Sequence, residues 1–328
     1  PVPALAASTL FRDAVLADEP LLYFQLSEPE GTAVNEGSLG VDFNADYLGT
    51  PSRAMPTESG DESVAFDAAE DFLKTDAIAP ESLSGNPTFS AEALYFVPPD
   101  GTALNWAPFL HWGDLTLLPA MKSVYFGFQN DKPTRLFAGF YNGGLRTVAD
   151  VPRGVWHHVV WVRNGGAAAN VGTTLYVDGV AVALEDDPEL PVNGSTPEII
   201  NTAFRINRSQ DADRFFRGSL DELALYGRAL SQEEVEAHYA ALDKCAEERC
   251  IDYDGGCKLC GFPSSGGSAP LAGDALAVLR AAVGSRKCNR CVCDVDEGGS
   301  VVATDALITL KKAVGQSVSL QCPEQDLG

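Results

Sequence analysis

The chain has 328 residues, with 46 Asp and Glu against 23 Lys and Arg, a formal net charge of −23. That balance leaves no basic surface to neutralise phosphates, which excludes a nucleic-acid partner, and no apolar run reaches the ~18 residues of a membrane span. The length accommodates one β-sandwich of about 200 to 250 residues and a smaller unit. Residues 1–243 carry 35 acidic and 14 basic side chains, whereas residues 244–328 carry 11 and 9. The acidity reads as a solvated surface and, at chosen points, as ligands for divalent cations.

Residues 1–14 form a largely apolar arm in which Arg12 and Asp13 are the charges. The opening Pro1 suits a mature secreted chain whose signal peptide has been removed. A strand is predicted over 21–28, followed by short strands at 63–66, 72–74, 89–96, 109–112, 123–129, 135–141 and 203–207. Gly, Pro, Asn and Asp punctuate them, and their frequency argues a sandwich rather than an α/β fold. The clearest hairpin runs from Gly154 to Val180. Trp156, His158, Val160 and Val162 share one face of its first strand, and His157, Val159, Trp161 and Arg163 the other, so the strand suits burial on both sides. Thr173 to Val177 pairs with it and closes at Asp178 and Gly179. The two adjacent histidines face opposite ways and read as structural residues rather than a catalytic pair. After a strand beginning at Phe216, Ser231 caps a helix with Glu234 three residues on, and Val235, His238, Tyr239 and Leu242 make its apolar stripe.

These motifs resemble laminin-G-like, concanavalin A-like jelly rolls over residues 15–243. Pro20, Tyr23, Phe24, Leu26, Glu28 and Gly31 match the family's first strand, with Phe where Trp is usual. The central hairpin matches W-H-H-V-V-x-V…L-Y-V-D-G-V, and Phe216 to Tyr239 match the closing F-x-G-x-L-D-E…R-A-L-S…H-Y. The resemblance implies two antiparallel sheets packed face to face. It also implies a calcium at the sandwich rim for some members, near which Glu28 and Asp221 fall. Trp106, Trp112, Tyr125 and Tyr141 are the aromatics able to stack on a sugar, or else to fill the core. Asn193 and Asn207 begin glycosylation sequons.

From residue 244 the composition changes. All eight cysteines, Cys245, Cys250, Cys257, Cys260, Cys288, Cys291, Cys293 and Cys322, lie here. An even set in a short segment reads as a disulfide framework in an oxidising compartment, with the pairing left open. The alternative is zinc held by Cys257, Cys260, Cys288 and Cys291 as two C-x-x-C knuckles. The pattern D-A-L-x-x-L-[RK]-x-A-V-G occurs at Asp274 and again 31 residues later at Asp305, predicting two short amphipathic helices. Before the second stands a twelve-residue calcium loop. Asp294 and Asp296 fit positions 1 and 3, Gly298 stands at 5, Gly299 makes the turn, the Ser300 carbonyl fits 7 and Asp305 fits 12. This pair resembles a dockerin, the module that plugs a secreted protein into a cohesin. The first repeat has Pro263 and Ser265 at positions 1 and 3, so one Ca2+ is expected. Only Ala303 and Thr304 stand where dockerins present hydroxyl pairs, so cohesin is not the expected partner.

No E-x-D-x-x-E strand is present, since Glu185, Asp186, Asp187 and Glu189 form a Pro-bearing loop, and neither H-E-x-x-H nor G-x-S-x-G occurs. The fold class expected is mainly β, an antiparallel sandwich with a small, disulfide-rich α-helical calcium-loop domain at its C-terminus. The function expected is non-catalytic recognition or adhesion outside the cell, with a glycan or surface protein as ligand. Its rival is a structural subunit that grips copies of itself through the arm or the C-terminal domain. An accessory module of a glycan-degrading complex is a third reading.

Overall fold

A computed structural model describes residues 7–56, 62–99, 106–116, 122–129, 132–166, 168–188, 190, 194–210, 214–242, 249–251, 257–259, 270–285, 288, 293–296, 298 and 300–321. The chain divides into two compact units.

The larger unit is an antiparallel sandwich. The first sheet holds β1 (Leu22–Phe24), β3 (Ser52–Pro56), β4 (Glu62–Phe66), β6 (Phe89–Phe96), β11 (Trp156–Arg163), β12 (Thr173–Val177), β13 (Val180–Ala181) and β16 (Gly218–Tyr226). Its order is β13-β12-β11-β6-β16-β4-β3, with β1 also on β16. The second holds β2 (Ala45–Leu48), β5 (Phe72–Ile78), β7 (Ala107–Gly113), β8 (Ser123–Gln129), β9 (Lys132–Phe140), β10 (Gly143–Thr147), β14 (Leu184–Asp186) and β15 (Ala203–Ile206). It runs β14-β10-β9-β8-β7-β15-β5-β2.

Alternation explains the core. In β6, Phe89, Ala91, Ala93 and Tyr95 point between the sheets, and in β11 Val159 and Trp161 do the same. The Trp161 ring meets Phe89 edge-on at 4.9 Å and lies 5.8 Å from Phe140 on the facing sheet. Edge-to-face contacts of this kind add about 0.5–1.5 kcal/mol to simple burial. The other face of β11 is also covered, because His158 and Val160 are buried too. Trp112 joins the core and is fully buried, so it is not a sugar-stacking surface residue.

From Ala7 onward the N-terminal arm is helical. α1 (Ala7–Ala17) buries Phe11 and Val15 completely, and the Phe11 ring stands edge-on to His158 at 5.9 Å and His238 at 6.2 Å. Those two apolar side chains are therefore committed within the chain, which counts against their gripping a neighbouring copy. α2 (Gln232–Ala241) carries the expected capping box: Glu234 N–H donates to Ser231 Oγ at 3.2 Å, and Ser231 N–H to Glu234 Oε2 at 2.7 Å. Val235 and His238 are its buried positions, while Tyr239 is 42% exposed.

The smaller unit contains a hairpin of β17 (Arg249–Ile251) and β18 (Cys257–Leu259) and the two repeat helices, α3 (Ala272–Ala282) and α4 (Ala303–Ala313). The repeat is structural as well as sequential. Asp274 Oδ2 accepts the Leu271 N–H and Asp305 Oδ2 the Val302 N–H, both at 2.7 Å, one turn before each helix is established. Val278 of α3 and Ala306 of α4 pack with Cys293 in a small core of their own.

Candidate binding cleft and calcium loop

The outer face of the second sheet carries an aromatic cleft of about 240 Å³, lined by Trp106, Tyr125, Phe137, Tyr141, Asn142 and Arg214 among others. Its floor comes from strand parity. Phe126 and Ala138 face the core, so Tyr125 and Phe137 face outward, where with Leu190 they form a cluster separate from the sandwich core. Gly139 and Gly144 stand opposite each other in the ladder. A Cβ on either would come within 2.7 Å of the tip of the Phe137 ring, so the glycines let that ring lie against the sheet. Trp106 stands edge-on to Phe137 at 5.1 Å and to Tyr125 at 6.1 Å. Its φ is +52°, costly for so bulky a residue, and the Tyr125 hydroxyl donates to its carbonyl. Tyr141 and Asn142 form the turn between β9 and β10, with Asn142 in the left-handed region that Asn tolerates. Such a site offers flat apolar faces with an amide and a guanidinium, the groups that hold an amphipathic ring by stacking and hydrogen bonds.

In the smaller unit Asp294, Asp296 and Asp305 each bring a carboxylate oxygen within 4.8 Å of the others. Asp294 and Asp305 are fully buried, and Asp296 is exposed. Val295 N–H donates to Asp305 Oδ1 at 2.8 Å, and Gly298 N–H to Asp294 Oδ1 at 2.8 Å and to Asp296 Oδ1 at 2.9 Å. These backbone donors close the loop around its own carboxylates. Burial raises the Asp305 pKa, the Val302 and Val295 amides oppose that rise, and the charges of Asp296 and Asp294 add to it. Three hard oxygen ligands crowded in this way fit Ca2+ or Mg2+ better than a thiophilic metal. Ser300 is exposed, Gly298 enters through its N–H, and Gly299 lies outside the described residues.

The cysteines are partly placed. Cys288 is bonded to Cys293, which removes Cys288 from the proposed zinc set. Cys245, Cys260, Cys291 and Cys322 lie outside the described residues, as do the side chains of Cys250 and Cys257.

Glu28 accepts a hydrogen bond from the Tyr47 hydroxyl, and the charge of Asp221 also acts on that hydroxyl. Burial, then Glu28, and more weakly Asp221 push that hydroxyl's pKa up. Glu28 spends one oxygen on the Val34 N–H at 2.8 Å and the other on the Tyr47 hydroxyl at 3.1 Å. The sequon residue Asn193 lies outside the described residues. Asn207 is fully buried, donating to the Asp71 carbonyl at 2.6 Å and accepting the Phe216 N–H at 3.1 Å, so it presents no free amide to a glycosyl donor.

Sequence reasoning missed a buried polar cluster on the first sheet, beneath α1 and α2. Glu92, 1% exposed, meets His158 Nε2 at 2.5 Å, the Tyr226 hydroxyl at 2.7 Å and His238 Nδ1 at 3.1 Å. His238 Nε2 reaches Asp18 at 3.0 Å, and Arg228 joins Asp18 to Glu234 at 2.6 and 2.8 Å. A carboxylate in the middle of an apolar strand, Glu92 between Ala91 and Ala93, was the available signal. His157 bonds Asp178 at 2.8 Å and the Pro152 carbonyl at 3.0 Å, so both adjacent histidines serve structure.

No curated protein sequence matches the chain. Among solved structures, Trypanosoma rangeli sialidase is 15% identical over 69% of this chain, with a TM-score of 0.47, and this chain spans 33% of it. Domain 4 of AbnA, a GH43 extracellular arabinanase from Geobacillus stearothermophilus, solved with arabinotriose, is 16% identical over 67% of this chain and 98% of its own, with a TM-score of 0.45. The binding domain of Paraclostridial Mosquitocidal Protein 1 is 12% identical over 74% of this chain and 56% of its own, with a TM-score of 0.48. Residues 78–236 match the family model of the concanavalin A-like lectin/glucanases superfamily, a stretch that runs from the end of β5 into α2 and takes in the whole aromatic cleft.

Proposed function

We propose that the protein is a non-catalytic recognition protein of the extracellular space whose sandwich binds a glycan in the Trp106–Tyr141 cleft. The observation that carries this is the make-up of the cleft: the aromatic rings of Trp106, Tyr125, Phe137 and Tyr141 with a guanidinium and an amide on one open sheet face. The pair of carboxylates that a glycosidase needs is not among its described lining residues. The smaller unit is a dockerin-like module that holds one Ca2+ through Asp294, Asp296 and Asp305 and is stapled by disulfides, which suits secretion. The ion there is structural: it neutralises three crowded carboxylates and so ties the loop to the start of α4.

A glycan array on the full chain, followed by calorimetry on the best hit, tests the reading. Trp106→Ala should weaken binding by about tenfold or more without changing the fold, because it removes a stacking face. Glycan binding that ignores both Trp106→Ala and Tyr141→Ala would move the site elsewhere. Binding to surface proteins with no glycan hit would replace the ligand class.

A further inference from the structure

We propose that the ligand of this face is an acidic glycan, whose carboxylate or sulfate groups are received by Arg205 and Arg208 beside the aromatic cleft, with His111 beneath them. The inference rests on the cleft being the ligand site, and it names the ligand's chemistry.

The ladder places these residues. Lys74 of β5 stands opposite Arg205 of β15, Arg205 opposite His111 of β7, and His111 opposite Tyr125 of β8. Opposed residues share a sheet face, and their neighbours Leu73, Ile206, Leu110 and Phe126 are in the core. A polar row with Arg205 and Lys74 at its outer end therefore leads out of the cleft from Tyr125 across three strand spacings, about 14 Å. That is room for more than one sugar ring.

The row lacks what an acid-rich domain would ordinarily supply. Arg205 and Arg208 make no ion pair with a carboxylate among the described residues, although acidic side chains outnumber basic ones 35 to 14 over residues 1–243. Asp46, exposed, stands across the ladder from Lys74 at the far end of the row. Arg208 Nε is buried without a hydrogen-bond partner. His111 is fully buried, and neither ring nitrogen has one. Unpartnered buried polar atoms cost about 1–3 kcal/mol each, so a native fold seldom keeps several together without a purpose. Burial lowers the Arg205 pKa and the charge of Arg208 lowers it further. Burial, then Arg205 and Arg214, bring His111 down to about 3. Burial is the larger cause of both shifts, and the arginine charges add to it; Arg214 itself lines the cleft.

The guanidiniums are also positioned in advance. Arg205 and Arg208 both lie over the Phe72 ring, at 5.6 and 4.7 Å, which holds the two guanidiniums side by side for a carboxylate or sulfate. The domain's overall negative charge repels an acidic polymer at long range. At about 0.15 M salt that repulsion is screened beyond ~8 Å, whereas the contact with half-buried guanidiniums is screened much less.

The experiment is calorimetry on the full chain at physiological salt with three probes: an oligogalacturonate, a sulfated galactan oligosaccharide and a neutral galactan oligosaccharide. At least one acidic probe should bind about tenfold or more tighter than the neutral one, and which of the two does so separates carboxylate from sulfate. Arg205→Gln and Arg208→Gln should each lower that affinity roughly tenfold with an unchanged melting temperature. Should Arg205→Gln fold poorly, Lys74→Gln tests the same row at its outer end. Neutral and acidic probes binding equally, with no effect of the arginine variants and a full effect of Trp106→Ala, would overturn the acidic-ligand inference and leave the cleft reading intact. Acidic binding that the arginine variants weaken but Trp106→Ala does not would overturn the aromatic cleft and, with it, the inference that rests on it. No binding to any probe would overturn the inference.

Discussion

Replacing Glu92 by Gln keeps the shape of the side chain and removes its charge from an enclosed site. Its two oxygens meet His158 at 2.5 Å, Tyr226 at 2.7 Å and His238 at 3.1 Å, and His238 is tied on its far side to Asp18 at 3.0 Å. Removing one member of a buried charged set costs about 3–5 kcal/mol, against roughly 1 kcal/mol for a neutral hydrogen bond. That is a large share of the about 5–15 kcal/mol that keeps a domain folded. The pH dependence tests the cause. Burial alone would raise the Glu92 pKa, but His238 and His158 outweigh it and hold the carboxyl well below its usual range. Its contribution is therefore present above the unfolded value of about 4.3 and is lost only as pH falls through the lower folded value. Burial alone would lower His238, but Glu92 and Asp18 prevail and raise it. That contribution is complete below the unfolded value of about 6.5 and is lost as pH rises through the raised folded value. The deficit of Glu92→Gln should peak between about pH 4.3 and 6.5 and shrink at higher pH. Urea unfolding across this range measures it. A deficit under about 1 kcal/mol near pH 6, or one that is unchanged near pH 9, would refute the ion-cluster account.

Calcium titrated into the full chain should raise the melting temperature of the smaller unit, by about 2.7 kcal/mol of stabilisation at a hundredfold excess over Kd. Asp305→Asn and Asp294→Asn should abolish that response and a chelator should reverse it, so an identical melt with and without Ca2+ counts against the loop. Ser231→Ala removes the acceptor of the Glu234 N–H at 3.2 Å and should cost about 1 kcal/mol in chemical denaturation; an unmoved midpoint would show that Arg228, 2.8 Å from Glu234, holds the helix start alone. Cys288→Ser opens a bridge across a separation of five residues and, by loop-closure entropy, should destabilise the smaller unit by about 2 kcal/mol. Non-reducing peptide mapping that fails to find Cys288 joined to Cys293 would return the zinc arrangement to consideration.

Local pattern was enough for the strands that lie deep in the sandwich. β6, β8, β11 and β12 fall on the predicted residues because their alternation of apolar and other side chains is dense and regular. The closing helix was equally legible, since Ser231 and Glu234 write its start in chemistry that acts over three residues. The repeat helices followed from a 31-residue self-similarity, and carboxylate oxygens of Asp294, Asp296 and Asp305 lie within 4.8 Å of one another. Of the sandwich strands β2, β3, β10, β13 and β14 were missed, and all but β10 end their sheets' strand orders. Such strands exist because a neighbour offers hydrogen bonds along one side, which their own sequence does not record. The arm became a helix because α1 has somewhere to bury Phe11 and Val15, a fact of tertiary packing. The face of a residue was decided in the same way. An irregularity between Pro108 and Leu110 puts Phe109 and Leu110 both in the core, so alternation could not show that His111 faces outward and Trp112 inward. Glu92 and Asp18, or His111 and Arg205, are far apart in the chain and meet only across ladders and helices. Sequence alone determined elements whose signals act within a few residues. Which side of each strand met the core, and which distant charges were brought together, only the assembled sheets could decide, because long-range pairing sets both.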